Sequence, residues 1–383
     1  MTADGFAPRL VLFYVGIFAA SGIQLPFLPV WLAAKGLDSA AIGVVLALPM
    51  VVRVVAVPLA TRTADRHAAL RGALIATALA SAAGFALVGF GEGFAAIALA
   101  MALASAAYTP VMPLADAYAL KGLSMRGRAY GPVRLWGSVA FIAGNLGAGL
   151  LKDIIPARDL IWLIAGSFAF AALVSPSLAP VGIERPAGGA PRASATAFLR
   201  SPAFLTVAAA AGLVQASHAV YYGFSTLAWT ANGFDGVAIG TLWALGVIAE
   251  IALFAVSGRL PFGPASLLGL GAAGAVIRWT AMAFDPPAAT LPALQILHGL
   301  SFGATHLGAV QYLAREAPEG LGATAQGYLS IALGLVMAAA MGISGLLFGK
   351  YGSLAYLAMA AAALAGGAFA FAAHRLSHAA QSV

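Results

Sequence analysis

The sequence predicts an all-α integral membrane protein, twelve transmembrane helices arranged as two pseudo-symmetric six-helix bundles. Three observations carry this. The 383 residues are 62% apolar and only 9% charged, with a mean hydropathy of +0.94, whereas about a quarter of a soluble chain carries charge. The apolar residues gather into twelve runs, each near the roughly 20 residues a helix needs to cross the hydrocarbon. The second half of the chain also repeats the first at an offset of 197 residues.

The first run, 9–34, is too long for a signal-peptide core and lacks a small-residue cleavage site, so it reads as a retained helix. It carries Ser21, Gln24 and Trp31. The second, 39–61, holds Arg53 and is followed by 70–91 and by 93–119, which holds Asp116. In the fifth, 131–152, Arg134, Ser138, Phe141 and Asn145 recur at steps of three and four, which share one helix face. The sixth, 158–176, completes a first bundle over 1–176. A cytoplasmic linker, 177–201, follows, where Pro180, Pro186, Pro191 and Gly188-Gly189 interrupt any helix. The second bundle, 202–383, opens with 202–231, where Gln215, His218, Tyr222, Ser225 and Trp229 form one stripe. Trp243 and Glu250 lie in 236–257, Arg278 in 264–284, and Gln295, His298, Phe302 and His306 in 287–313; the last runs are 322–347 and 352–374.

The repeat aligns without a gap. Gly36, Asp38, Ala41, Ile42, Gly43, Ala47 and Leu48 meet Gly233, Asp235, Ala238, Ile239, Gly240, Ala244 and Leu245. In this register Arg53 falls opposite Glu250. Parallel six-helix repeats organise one large class of secondary transporters.

Arg9, Arg62, Arg66, Arg71, Lys121, Arg126, Arg128, Arg185, Arg192, Arg200, Arg259, Arg315 and Arg375 fall on one side, and Lys35, Lys152, Arg158 and Lys350 on the other. The positive-inside rule then puts both termini in the cytoplasm. The net charge of +7 comes without a basic run, so a nucleic-acid partner is not expected. Zero cysteines exclude disulfides and thiolate chemistry. Gly269-x-Gly271-x-x-Gly274 spells a dinucleotide fingerprint but sits inside an apolar span with no preceding strand, so it reads as close helix packing. With no Walker loop, nucleophile elbow or metal motif, the chain reads as no enzyme, without cofactor or metal, and transport would draw on solute or ion gradients.

Of 20 Lys and Arg and 13 Asp and Glu residues, only Arg53, Asp116, Arg134, Glu250 and Arg278 lie well inside spans. At roughly 2.5–3.5 kcal/mol for each mid-helix charge, these five must pair or line a wet interior. Plainer readings exist for several of the polar residues: Asp116 with Arg134 as a packing pair, Arg278 as a structural partner, His218 and His298 as satisfied core histidines, and Arg53 snorkelling to the surface.

Pro58-Leu59-Ala60-Thr61-Arg62-Thr63-Ala64-Asp65-Arg66, with Arg71 following, reads as a loop and resembles the loop signature of the major facilitator superfamily, with Thr61 in place of its leading glycine. The run Gly22-Ile23-Gln24-Leu25-Pro26-Phe27-Leu28-Pro29-Val30-Trp31-Leu32 is similar to the opening of the branch containing lactose permease, the nucleoside–proton symporters and the phenylpropionate permeases. Tyr130 to Phe141, Ser217 to Ser225 and Gln295 to His298 resemble the phenylpropionate permeases in particular. The resemblance implies the major facilitator fold in the bacterial inner membrane. It implies that Asp116, Arg134 and Glu250 face substrate and that Arg278 and His298 match an arginine and a histidine of the proton-coupling region. Ser301 and Gln295 stand where lactose permease has an acid and a lysine, so Glu250 or Asp116 would take the proton.

The reading is a secondary transporter of a small organic solute working by alternating access with proton symport, in the lipid bilayer and as a monomer. An aromatic carboxylate of the phenylpropionate type fits best, with Asp116, Arg134, Glu250, Gln24, Trp136, Ser138, Phe141, Tyr222 and Trp243 at the substrate. Glu250, Asp116, His298, Arg278 and His218 would serve proton coupling, and Asp65, Arg66 and Arg71 gating. A nucleoside or oligosaccharide proton symporter is the alternative, with Asp116 and Glu250 bonding hydroxyls. A non-transporting sensor on a transporter scaffold would normally need an appended soluble domain, which the short tails and linker do not offer.

Overall fold

The computed structural model describes residues 5–181, 195–318 and 321–381. Arg185, Arg192, Pro186, Gly188, Gly189 and Pro191, used above for topology and for the linker, lie outside the described residues. Twelve helical spans follow in order: α1 (Phe6–Ala34), α2 (Ser39–Arg66), α3 (Leu70–Phe90), α4 (Gly93–Ser124), α5 (Tyr130–Lys152), α6 (Ala157–Ser177), α7 (Pro202–Ala231), α8 (Gly236–Arg259), α9 (Pro264–Met282), α10 (291–316), α11 (Gly322–Tyr351) and α12 (Ala355–Gln381). Among the described residues, nine helical stretches are long and apolar enough to cross a membrane, one of them holding both α11 and α12. The two spans outside that set are α5 and α10, each of which carries a polar stripe.

The chain packs as two units, Met1–Pro186 with Ser225–Thr241, and Ala187–Phe224 with Leu242–Val383. In the first, α1 lies against α5 and α6, and α3 against α4 and α6. In the second, α7 lies against α11 and α12, and α9 against α10 and α12. The same pairing scheme is thus used twice. Residues 225–241 follow the linker in chain order yet pack in the first unit, because the start of α8 meets α5 backbone to backbone: a Cβ on Gly149 would stand 2.2 Å from the Gly236 carbonyl oxygen.

The repeated sequence is a device for stopping one helix and starting the next. Gly36 and Gly233 have φ of +84° and +83°, the left-handed conformation that ends helices and that glycine adopts without a Cβ clash. Two residues later, Asp38 and Asp235 accept the N–H of Ala41 at 2.8 Å and of Ala238 at 2.7 Å, capping orphan amides of the following helix.

Small residues let α1 and α5 approach closely, as helices do within lipid. A Cβ on Gly22 would lie 2.1 Å from the Phe141 carbonyl oxygen, and one on Gly144 2.7 Å from that of Ala19. Both obstacles are backbone and cannot swing away. Gly22→Ala should therefore cost about 1–3 kcal/mol and lower the thermal unfolding midpoint in detergent. Gly147→Ala, on the partner helix α5 but with no atom in the way, should leave it unchanged.

At the Arg-rich end of the first unit, side chains hold the carbonyls that close α6. Arg71 donates to Leu178 and Pro176 at 2.5 and 2.6 Å, Arg9 to Ser177 at 3.2 Å, and the Tyr118 hydroxyl to Ala179 at 2.6 Å. These satisfy groups that a helix terminus leaves unpaired. At the other end, Asp153 follows α5 and accepts the Gly236 N–H at 2.6 Å and Lys152 Nζ at 2.9 Å. The amide first, then the ammonium, hold its carboxyl below the ordinary aspartate value of 3.8. A depressed carboxyl stabilises the fold above its unfolded pKa and loses that contribution as pH falls through the folded one. Asp153→Asn should thus lower the unfolding midpoint at pH 7, and the gap to the parent protein should shrink on acidification towards pH ~3.

Candidate functional site

In the first unit α1, α4 and α5 bring a carboxylate, a guanidinium and several aromatic rings together. Asp116 lies beyond the break of α4 at Thr109-Pro110. Its Oδ1 accepts the hydroxyl of Tyr14 on α1 at 2.8 Å and that of Tyr130, the first residue of α5, at 2.9 Å. Arg134 Nε stands 4.0 Å from the same oxygen, and its guanidinium lies 4.0 Å from the centroid of the Phe18 ring, a cation–π contact. Gln24 donates to the Tyr108 hydroxyl at 3.1 Å; Arg53 on α2 is half-buried and within electrostatic reach of the same tyrosine. Ser138 and Phe141, half-buried, share the Arg134 face of α5, and Asn145, fully buried, donates to the Gly240 carbonyl at 3.3 Å.

Trp136 is not part of this group. Two residues beyond Arg134 it sits about 200° around the helix, and it is 53% exposed. Adjacency in sequence suggested a ring beside the arginine; Phe18, from another helix, provides it instead.

In the second unit α7, α8, α9 and α10 enclose Arg278. Its Nη2 donates to Gln295 Oε1 at 2.6 Å, and its Nη1 lies 3.0 Å from His298 Nδ1 and 3.5 Å from Ser301 Oγ. Its flat face rests on Tyr221 and Trp279, 4.4 and 4.5 Å from the ring centroids. His298 Nε2 is 3.9 Å from Glu250 Oε2. His218 points Nδ1 at the carbonyls of Gln215 and Val214, at 3.0 and 3.2 Å, and Nε2 at Ser301 Oγ, at 3.0 Å.

The protons follow from the partners. A guanidinium only donates, so His298 Nδ1 accepts and the ring's proton sits on Nε2, the nitrogen facing Glu250. Carbonyls only accept, so His218 carries its proton on Nδ1 and takes the Ser301 hydroxyl at Nε2. Both histidines fit their surroundings as neutral rings. Tyr222 stacks on Trp243, ring centroids 6.0 Å apart, and on His218 at 5.5 Å.

Between His298 and Thr305, α10 widens into a π-turn over Gly299–Ala304, a feature frequent at functional sites. Gly299 and Gly303 let it lie close to α8: a Cβ on Gly299 would be 2.9 Å from the Ala249 carbonyl oxygen. Of the α7 stripe, Gln215, His218 and Tyr222 belong to this unit, whereas Ser225 and Trp229 fall in the stretch that packs in the first.

The expected loop of Pro58 to Arg66 is instead the end of α2, which continues to Arg66; its charges suggested a loop, but turns beyond the apolar length stay helical when exposed. Asp65 and Arg66 are exposed there, while Arg71 is engaged with the end of α6. The sequence reading also passed over Tyr14, Phe18, Tyr108 and Tyr130, since a tyrosine in an apolar span looks like packing. Only Tyr130, placed four residues before Arg134, gave a usable signal.

Among the described residues, twelve helical spans lie in two units of one pairing scheme, with polar clusters set into otherwise apolar spans, the architecture of a multi-pass membrane transporter. A family model described as the MFS_1 like family matches residues 8–358. The chain belongs to that family, within the major facilitator superfamily, and is not an enzyme. It is 33% identical over 366 residues to a protein named probable 3-phenylpropionic acid transporter from Escherichia coli strain K12, covering 93% of this chain and 94% of that one. It is 30% identical over 321 residues to a maltose permease of Geobacillus stearothermophilus, covering 82% and 80%. A crystal structure of the nucleoside transporter NupG shares the fold, with a TM-score of 0.79 at 17% identity over 98% of this chain and 99% of that one.

Proposed function

We propose that this transporter carries a small aromatic carboxylate of the phenylpropionate type by alternating access with proton symport, in a bacterial inner membrane with both termini cytoplasmic. The observation that supports the substrate class is Arg134. Its guanidinium lies on Phe18 and stands beside a carboxylate oxygen that two phenols already occupy, which leaves N–H groups to hold an incoming carboxylate, while Phe18 and Phe141 offer apolar ring surface. Likeness to the 3-phenylpropionic acid transporter points the same way. Proton exchange is assigned to Glu250, with His298 beside it at 3.9 Å and Arg278, Ser301 and His218 joined in turn to His298 by hydrogen bonds.

A sugar or nucleoside symporter is the second reading. It is favoured by the likeness to the maltose permease and by the neutral polar pair Gln24 and Tyr108, an amide and a phenol. The test is uptake into proteoliposomes under an imposed proton gradient, comparing 3-phenylpropionate with maltose and uridine. Saturable, gradient-driven uptake of the acid alone supports the first reading; uptake of either neutral compound with no response to the acid overturns it.

A further inference from the structure

We propose that Tyr14 and Tyr130 are positioning residues that keep Arg134 available to an anionic substrate by occupying the oxygen of Asp116 nearest to it. This rests on the assignment of Arg134 to the substrate carboxylate. An arginine and an aspartate on neighbouring helices ordinarily close into a short, often two-pronged ion pair. Here they do not. A carboxylate oxygen offers about two lone-pair directions, and on Asp116 Oδ1 both are taken, by Tyr14 at 2.8 Å and Tyr130 at 2.9 Å. Arg134 Nε remains at 4.0 Å, beyond hydrogen-bond reach.

The guanidinium is held instead by its flat face on Phe18, which leaves its N–H edge uncommitted to Asp116. Gly137 makes room for this stack. A Cβ there would lie 2.7 Å from Phe18 Cδ2 and 3.0 Å from Arg134 Nη1. The phenols come from α1 and from the first residue of α5, two helices whose approach is fixed by Gly22 and Gly144, so both hydroxyls stay aimed at Asp116. Tyr14 is fully buried, whereas the Arg134 side chain retains 32% of its accessible surface.

The arrangement makes the two phenols a chemical spacer. Without them the nearer oxygen of Asp116 is the strongest acceptor within reach of Arg134, and the pair closes on itself. A substrate carboxylate must then compete with an internal one for the same N–H groups.

The test is the Tyr14→Phe/Tyr130→Phe double variant, read in two ways. Uptake of 3-phenylpropionate in proteoliposomes should show KM raised about tenfold with Vmax unchanged, the size of losing one charge-assisted contact. Modification of Arg134 by phenylglyoxal, followed by mass spectrometry, should slow by a similar factor. Adding Asp116→Asn, which removes the competing charge, should restore the labelling of Arg134; a merely structural loss would not be rescued. The single variants, each expected to show about a threefold effect, carry the test should the double variant fold poorly. Unchanged labelling of Arg134 in the phenylalanine variants, or labelling that Asp116→Asn does not restore, overturns the proposal. Should Arg134→Gln leave the KM for 3-phenylpropionate unchanged, the substrate assignment fails, while the labelling still decides whether the phenols hold Asp116 away from Arg134.

Discussion

Replacing Arg134 with glutamine should raise the KM for an aromatic carboxylate by about a hundredfold or more, from the loss of a charge-assisted, two-pronged contact with the substrate carboxylate. Glutamine keeps two N–H donors but is shorter and gives up the cation–π contact with Phe18, so the loss reports on the guanidinium as a whole. Lysine should rescue poorly: it restores the positive charge but not the planar fork that meets two carboxylate oxygens at once, and it stacks less well on an aromatic face. The measurement is the concentration dependence of initial uptake rates in proteoliposomes. An Arg134→Gln variant with an ordinary KM for 3-phenylpropionate would remove Arg134 from the binding site.

Replacing Glu250 with glutamine should abolish accumulation of substrate against its gradient while leaving counterflow of labelled for unlabelled substrate in place. The amide is the same size and keeps an acceptor oxygen facing His298 Nε2, which lies 3.9 Å from the carboxylate. It cannot take up or release a proton. Asp116 is the other acidic residue placed well inside a span, and its nearer oxygen is engaged by two phenols. Uptake driven by a pH gradient and counterflow at equal pH separate the two activities in one preparation. Undiminished proton uptake accompanying accumulation by Glu250→Gln would sink the assignment of Glu250.

The twelve spans were legible because a bilayer demands long apolar runs, and the Gly-x-Asp repeat was legible because stopping and capping a helix needs specific residue types. The charged members of both clusters were legible for an energetic reason: a charge within an apolar span is expensive and stands out. Their partners did not stand out. Tyr14 and Phe18 reach Asp116 and Arg134 from another helix, and no spacing along the chain encodes that meeting. The end of α2 was misjudged because charge was read as loop, although an exposed helical turn tolerates Arg62 and Arg66 well. Trp136 was misassigned because neighbours in sequence stand far apart around a helix.

The π-turn of α10 puts one residue more into its path than an α-helix would use. The polar positions before it, Gln295 and His298, and those after it, Thr305 and His306, therefore sit in different phases, about 100° apart from where an unbroken helix would put them. Helical periodicity read straight through α10 is correct on either side of Gly299–Ala304 and wrong across it. A chain one residue shorter at this place would keep every side chain of α10 yet bring its two halves into the phase of a single α-helix, so that Arg278 and Glu250 would face a differently turned helix built from the same residues.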